Sequence, residues 1–214
     1  MRPIQQFKQN INEIQKISDL YKFNKQQFNN AVDIDGLLRM ELVMGVSALD
    51  QYIHQVVVER VIDILRNRGK IPVNFSKLLL SYDSLNDVLQ SGNIQDAIVL
   101  IERDLRLKMS WRSFQQPDKI TEALKYISDH NVWKEISILM NREVSAVKQQ
   151  LELIVKRRDC IAHEADYDYI NLCQYPISDV MCTTAVNFII ELVFMIDAMI
   201  FEYTYTVSEV LKFE

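Results

Sequence analysis

The 214-residue chain carries a net charge of −5 and contains 49% apolar and 25% charged residues, a composition typical of a folded globular domain. Four glycines and four prolines provide too few turn residues for a strand-rich fold, and their positions exclude a glycine-rich phosphate-binding loop. The acidic balance excludes broad phosphate neutralisation as the main way of holding a nucleic acid, so any such contact is expected to be local or brief.

Apolar residues recur in steps of three and four along most of the chain, which predicts helices joined by short polar connections. The predicted helices span Ile4–Tyr21, Leu37–Arg68, Phe75–Leu89, Ile94–Trp111, Pro117–Ser128, Val132–Met140, Glu143–Ala162 and a last helix from Ser178 to about Tyr203. The connections at 24–35 and 164–176 are polar, and the second of them contains several tyrosines. The sequence therefore predicts one all-α domain over residues 1–214, a bundle of about six to eight helices.

The long second helix is the expected spine of this bundle. Asp35 is its predicted N-cap, and Gly69 is the predicted residue that ends it. Gly45 lies inside the helix, where glycine is unfavourable by about 1 kcal/mol relative to alanine. Its presence predicts either close approach of a neighbouring helix or a bend.

The most apolar stretch, 185–201, contains Glu191 and Asp197. Acidic side chains are costly at the centre of a bilayer, so this stretch is predicted to be a buried core helix and no membrane contact is expected. The N-terminal residues lack the continuous apolar run of a secretory signal, and the three cysteines are odd in number without C-x-x-C spacing. We therefore expect a cytoplasmic protein without a metal site or other cofactor.

One short segment, 154–166, carries the residues best suited to chemistry. It places Arg158 and His163 five positions apart, with Asp159 directly after the arginine. Five residues on a helix correspond to a rotation of about 140° between the two side chains. Unless the helix ends between them, the arginine and the histidine therefore point to different sides, and one chain does not easily assemble a complete site.

Three stretches, 38–54, 111–120 and 157–166, together resemble the HEPN superfamily of helical ribonucleases and nucleotide-binding domains. The closest resemblance is to the RiboL-PSP-HEPN group of prokaryotic defence and conflict systems. The first 35 residues, a helix and its connection, are not covered by this resemblance. The resemblance implies an HEPN-like helical bundle and a homodimer in which two R-x4-H motifs face each other.

The activity that the resemblance implies is metal-independent cleavage of RNA, in which the 2′-hydroxyl attacks the adjacent phosphate and leaves a 2′,3′-cyclic phosphate. Matching the family motif, Arg158, His163 and Asp159 are the expected catalytic residues. Histidine exchanges protons near neutral pH, and arginine presents a fork that matches phosphate oxygens. RNA is then the substrate, and a toxin-neutralising or defence-system protein is a further expected partner. The alternatives are a non-catalytic module that binds RNA, nucleotide or protein, and a structural helical dimer.

Two further groups of polar residues have a functional and a structural interpretation. Arg39, Asp50 and His54 share a stripe of the long helix, where they either support the catalytic motif or form a satisfied pair at a helix contact. Trp111 and Arg112 are predicted RNA contacts, and Arg157 is a third. The structural alternative is a solvated basic surface, with the tryptophan in the core and Arg157 at a solvated helix end.

Overall fold

The computed structural model describes residues 2–28, 33–67, 70–203 and 205. Its elements are α1 (Pro3–Phe28), α2 (Asp35–Asn67), a 3-10 turn (Phe75–Lys77), α3 (Tyr82–Gln90), α4 (Ile94–Met109), α5 (Pro117–Leu124), α6 (Val132–Leu139), α7 (Val144–Glu164), β1 (Tyr167–Asp168), β2 (Cys173–Gln174) and α8 (Asp179–Phe201). Within these ranges the chain forms eight α-helices and one small antiparallel hairpin. The prediction of an all-α bundle is confirmed.

Helix α2 is the spine of the bundle, because α1, α4, α5, α7 and α8 all pack against it. Its start is stabilised by Asp33, whose Oδ1 accepts the backbone N–H of Asp35 at 3.0 Å. Asp35 is thus the first helical residue, not the N-cap that the sequence predicts, and Gly69 lies outside the described residues. A Cβ on Gly45 would lie 3.4 Å from Val186 Cγ2. This distance confirms the close approach of a neighbouring helix, which is α8.

Helix α1 runs antiparallel to α2. Near the start of α1, the ring of Phe7 meets Tyr52 edge to face at 6.0 Å between centroids, and near its end Tyr21 packs in one apolar cluster with Leu38. The predicted helix ends at Tyr21, but the observed one continues to Phe28. The polar sequence of its last two turns hides this extension from an analysis based on apolar spacing.

Helix α8 crosses the core parallel to α2, since Cys182 Sγ bonds to the Leu38 carbonyl and Asp197 accepts from Tyr52 Oη at 2.9 Å. It is long and apolar enough to span a membrane by length and composition, yet 67% of its most apolar window is buried within the fold. The prediction of a buried core helix holds. Its start also follows prediction, because Ser178 Oγ accepts the N–H of Met181 at 3.3 Å.

Two predicted segments differ from the observed ones because of hydrogen bonds that the spacing of apolar residues does not reveal. The predicted helix Phe75–Leu89 is interrupted at 78–81, where Ser81 donates its backbone N–H and its hydroxyl to the buried carboxylate of Asp104 on α4. The same hydroxyl caps α3. The predicted loop 164–176 contains the β1–β2 hairpin, in which Tyr167 pairs with Gln174.

Candidate functional site

Helix α7 is continuous through Glu164, so Arg158 and His163 both lie within it. The helical geometry therefore separates the two side chains by a rotation of about 140° and a rise of about 7.5 Å. His163 is exposed, whereas the side chain of Arg158 is only 16% exposed. The two residues thus present their functional groups on different sides of one helix.

Arg158 lies on the face of α7 that packs into the core, at helical spacing from Leu151 and Ile154. Its NH1 forms an ion pair with Asp159 Oδ1 at 3.2 Å, and Asp159 is about half exposed. Its Nε is buried without a hydrogen-bond partner. The guanidinium is therefore held at the edge of the core with part of its hydrogen-bonding capacity unused.

The backbone ends α7 at Glu164, one residue after His163. Ala165 and Asp166 adopt left-handed conformations with φ of 53° and 57°, and the N–H groups of both residues donate to the carbonyl of Cys160. Such bonds satisfy carbonyls that have no partner at a helix end. His163 thus lies in the last turn of α7, and the chain leaves the helix direction at Ala165.

A buried ion cluster holds this turn in place. Asp166 is fully buried, and its Oδ2 accepts from Arg39 Nε and Arg157 NH2, each at 2.8 Å. Both arginines also donate to the carbonyl of Tyr175, at 3.0 and 3.3 Å, and Arg157 donates to that of Pro176 at 3.1 Å. The cluster connects α2, the end of α7 and the segment that enters α8. It therefore fixes the position of the helix end that carries His163.

The ion cluster changes the interpretation of two residues and adds a third. Arg39, predicted to support the motif, does contact its segment. Arg157 is tied to a buried carboxylate and does not lie at a solvated helix end. Asp166 was not singled out from the sequence, although it closes the motif segment. An acidic residue in a polar loop carries no signal of burial, so only the fold identifies its role.

The hairpin that follows is attached to the same cluster. The carbonyl of Asp166 accepts the N–H of Tyr175 at 2.8 Å, and Gln174 Nε2 donates to the Ala165 carbonyl at 3.0 Å. Within the hairpin, Asp168 accepts from the side chain and backbone of Asn171. These bonds hold the pKa of the Asp168 carboxyl below its usual value. The hairpin is thus ordered by its own hydrogen bonds and is hydrogen-bonded to the residues that follow α7.

Asp50 and His54 form a separate polar contact. Asp50 Oδ1 accepts the backbone N–H of Phe114 at 2.5 Å and lies 3.8 Å from His54 Nε2. The imidazole packs on the Phe114 ring at 4.7 Å between centroids. Arg39 precedes Asp50 by eleven residues, about 16 Å along the helix axis. The predicted stripe is therefore divided, with Arg39 at the end of α7 and the other two residues against the loop between α4 and α5.

The basic segment at the end of α4 is largely paired. Arg112 forms an ion pair with Glu122, a contact that holds the pKa of this carboxyl below its usual value. Lys108 pairs with Asp104 at 3.1 Å. Trp111, in contrast, is 90% exposed, so its predicted alternative place in the core is wrong. Its indole remains free for stacking, while the charges around it are mostly neutralised.

No group of three or more histidine, cysteine or acidic side chains lies in a position to hold a metal ion within the described ranges. Cys182 is buried, and burial raises the pKa of its thiol to about 12. Cys160 is half-buried with its Sγ 3.5 Å from Glu164 Oε2, and Cys173 is exposed in the hairpin. The three cysteines therefore occupy unlike environments.

A helical bundle with an R-x4-H motif in the last turns of a core helix defines an HEPN-type domain. Consistent with this class, the family model for RiboL-PSP-HEPN matches residues 6–200. The chain belongs to the RiboL-PSP-HEPN family. The match begins within α1 and so includes a helix that the resemblance identified from the sequence does not cover. No significant match to a curated protein or to a solved structure was found.

Proposed function

We propose that this protein is a metal-independent endoribonuclease that works as a homodimer in the cytoplasm of a prokaryote, in a defence or toxin-type system. The observation that carries the proposal is the presence of an exposed His163 and a partly unsatisfied Arg158 in the last two turns of one helix. These are the two groups that RNA cleavage without a metal requires, a proton carrier and a cation for the phosphate. Family membership supports the same conclusion.

The chemistry assigned to these residues is transesterification. The ribose O2′ forms a bond to phosphorus while the bond from phosphorus to O5′ breaks, which leaves a 2′,3′-cyclic phosphate and a 5′-hydroxyl. His163 takes the proton of the 2′-hydroxyl or gives a proton to the departing oxygen. Arg158 stabilises the additional negative charge on the pentavalent phosphorane, and Asp159, its ion-pair partner, orients the guanidinium.

The rotation of about 140° between the motif residues leads to a composite site. A two-fold axis near the ends of two α7 helices would bring Arg158 of one copy toward His163 of the other. An isologous interface repeats each contact, so the dimer would contain two such pairs. Asp166 and its two arginines hold the helix end of each copy in one orientation, which supports such an arrangement.

A cleavage assay on the pure protein with EDTA present tests the proposal. Cleavage that leaves cyclic-phosphate ends supports the ribonuclease, and Arg158→Lys is expected to lose most of it because a point charge does not replace a bidentate fork. RNA binding without cleavage would instead favour a non-catalytic module, an alternative that the acidic net charge of −5 also favours slightly. If the protein neither binds nor cleaves RNA, the remaining interpretation is a structural helical dimer.

Subunit mixing tests the composite site separately. The inactive variants Arg158→Ala and His163→Ala are combined under conditions that allow subunit exchange, which mass spectrometry verifies. The heterodimer then has one copy with His163 and one with Arg158, so a site between copies regains part of the activity. A site within one copy regains none. Absence of recovery despite verified exchange refutes the composite site.

A further inference from the structure

Two exposed apolar surfaces lie at the end of the molecule that carries His163. The first is the hairpin tip, residues 169–172, where Tyr169, Ile170 and Leu172 are 74%, 91% and 72% exposed. The second is the α7–α8 groove, a concavity of about 350 Å³. Its rim includes Leu153 and Val180, which are 60% and 74% exposed.

The hairpin tip and the α7–α8 groove belong to one continuous surface. Arg157 and Ile177 line the groove, and Arg157 also binds the carbonyls of Tyr175 and Pro176 at the base of the hairpin. The tip is exposed and uncharged, whereas the groove is concave and lined mainly by apolar side chains. Interfaces favour such cores with few charges and with aromatic residues.

The hairpin is held rigidly before any partner arrives. Its base is attached to the buried Asp166 through the Tyr175 N–H, and its turn is closed by the Asp168 carboxylate. A preordered element loses little conformational entropy when it docks. An apolar tip that these hydrogen bonds hold in place is therefore suited to association with little reordering.

The occupant of the groove follows from the incomplete site, so this inference rests on the proposed function. Arg158 and His163 require a second copy of α7, and the hairpin begins four residues after His163. A dimer that brings two α7 ends together places each hairpin close to the other copy, because β1 begins three residues after the end of α7. The apolar tip and the groove rim together expose several large apolar side chains, which a contact between two copies would remove from water.

We propose that the hairpin tip of each copy docks in the α7–α8 groove of the other copy. The contact is reciprocal, with Ile170 and Leu172 filling the partner's groove and Tyr169 covering its rim. The exchange buries both apolar surfaces and holds the two α7 ends together. It thereby assembles the site that one chain leaves incomplete.

Two oppositely charged variants test the exchange. Ile170→Glu alters only the tip and Val180→Lys alters only the groove rim, and both positions are highly exposed. Each variant alone is expected to raise the dimer dissociation constant at least tenfold in sedimentation experiments. In an equimolar mixture, the introduced glutamate of one copy faces the introduced lysine of the other, while the second contact of that heterodimer is native. The mixture is therefore expected to regain dimers, which native mass spectrometry identifies as heterodimers.

Leu89→Glu is the matched control, since Leu89 is 76% exposed on α3 and lies outside both surfaces. It should leave assembly unchanged, and circular dichroism checks that all three variants fold. The proposal is overturned if the wild type is monomeric, if dimers persist in either single variant, or if the mixture stays monomeric. If the wild type dimerises without cleaving RNA and both variants lose assembly, the ribonuclease is refuted and the interface stands. If a monomeric wild type cleaves RNA, the ribonuclease stands and the proposed interface is refuted.

Discussion

Replacing Glu41 by glutamine is expected to remove a loss of stability that the wild type suffers as the pH rises. Glu41 lies on α2 one turn from Gly45, is 3% exposed, and has a buried Oε2 without a hydrogen-bond partner. Burial raises the pKa of its carboxyl from 4.5 to about 7, and the negative charge of Asp179 on α8 acts in the same direction. An ionised Glu41 is therefore poorly accommodated in the folded protein.

The sign and size of the effect follow from linkage between protonation and folding. The folded state holds the Glu41 proton more tightly than the unfolded state, so the stability that this carboxyl contributes is fully present below pH 4.5 and is lost as the pH rises to about 7. One pKa unit corresponds to about 1.4 kcal/mol, so the full loss is about 3 kcal/mol. Glutamine has the same shape and no charge to ionise. The free energy of unfolding of Glu41→Gln should exceed that of the wild type at pH 8. At pH 4.5 the two free energies should be nearly equal.

Urea denaturation of both proteins at pH 4.5 and at pH 8 measures this difference. Burial also raises the pKa of Glu59 and of Glu191, but these residues contribute equally to both proteins and cancel in the comparison. Glu13→Gln, at a site 60% exposed on α1, is the control and should follow the wild type at both values. Parallel pH profiles for wild type and Glu41→Gln would refute the assignment of a raised pKa to this carboxyl.

Four further substitutions separate chemical from structural roles. His163→Ala should abolish RNA cleavage while stability changes by no more than about 0.5 kcal/mol, because the side chain is exposed; a large drop in melting temperature would make the histidine structural. Asp166→Asn keeps the packing but leaves two guanidinium groups without their buried counter-charge, so urea denaturation should show a loss of about 3 kcal/mol, and a neutral effect would contradict the ion cluster. Asp50→Ala removes the acceptor of the Phe114 N–H and should cost about 1–2 kcal/mol. Asp63→Ala on the same helix breaks only local surface contacts and should cost about 0.5 kcal/mol or less; equal losses would make the Asp50 contact ordinary.

The helices and the motif were predictable because both depend on local sequence. Apolar spacing located α2, α4, α6 and α7 to within a few residues, and the side chain of Ser178 marked the start of α8. The spacing of Arg158 and His163 predicts their angular offset, and α7 keeps this offset because it continues through Glu164. The sequence also singled out Gly45, whose missing side chain allows α8 to pack closely.

The surroundings of the motif could not be predicted, because they depend on residues far apart in the chain. Asp166 is buried only because Arg39, 127 positions away, and Arg157 converge on its carboxylate. The break before α3 likewise depends on Asp104, which binds Ser81 across the fold.

Periodicity and chemistry along the chain thus determined the all-α class, the buried nature of α8 and the candidate pair Arg158 and His163. The tertiary structure decided which polar residues contact the segment that carries that pair, since it joined Arg39 to Asp166 and placed Asp50 and His54 against Phe114. The physical reason is desolvation. A buried charge is tolerated only where the fold supplies its counter-charge and hydrogen bonds, and these partners come from elements that only packing brings together.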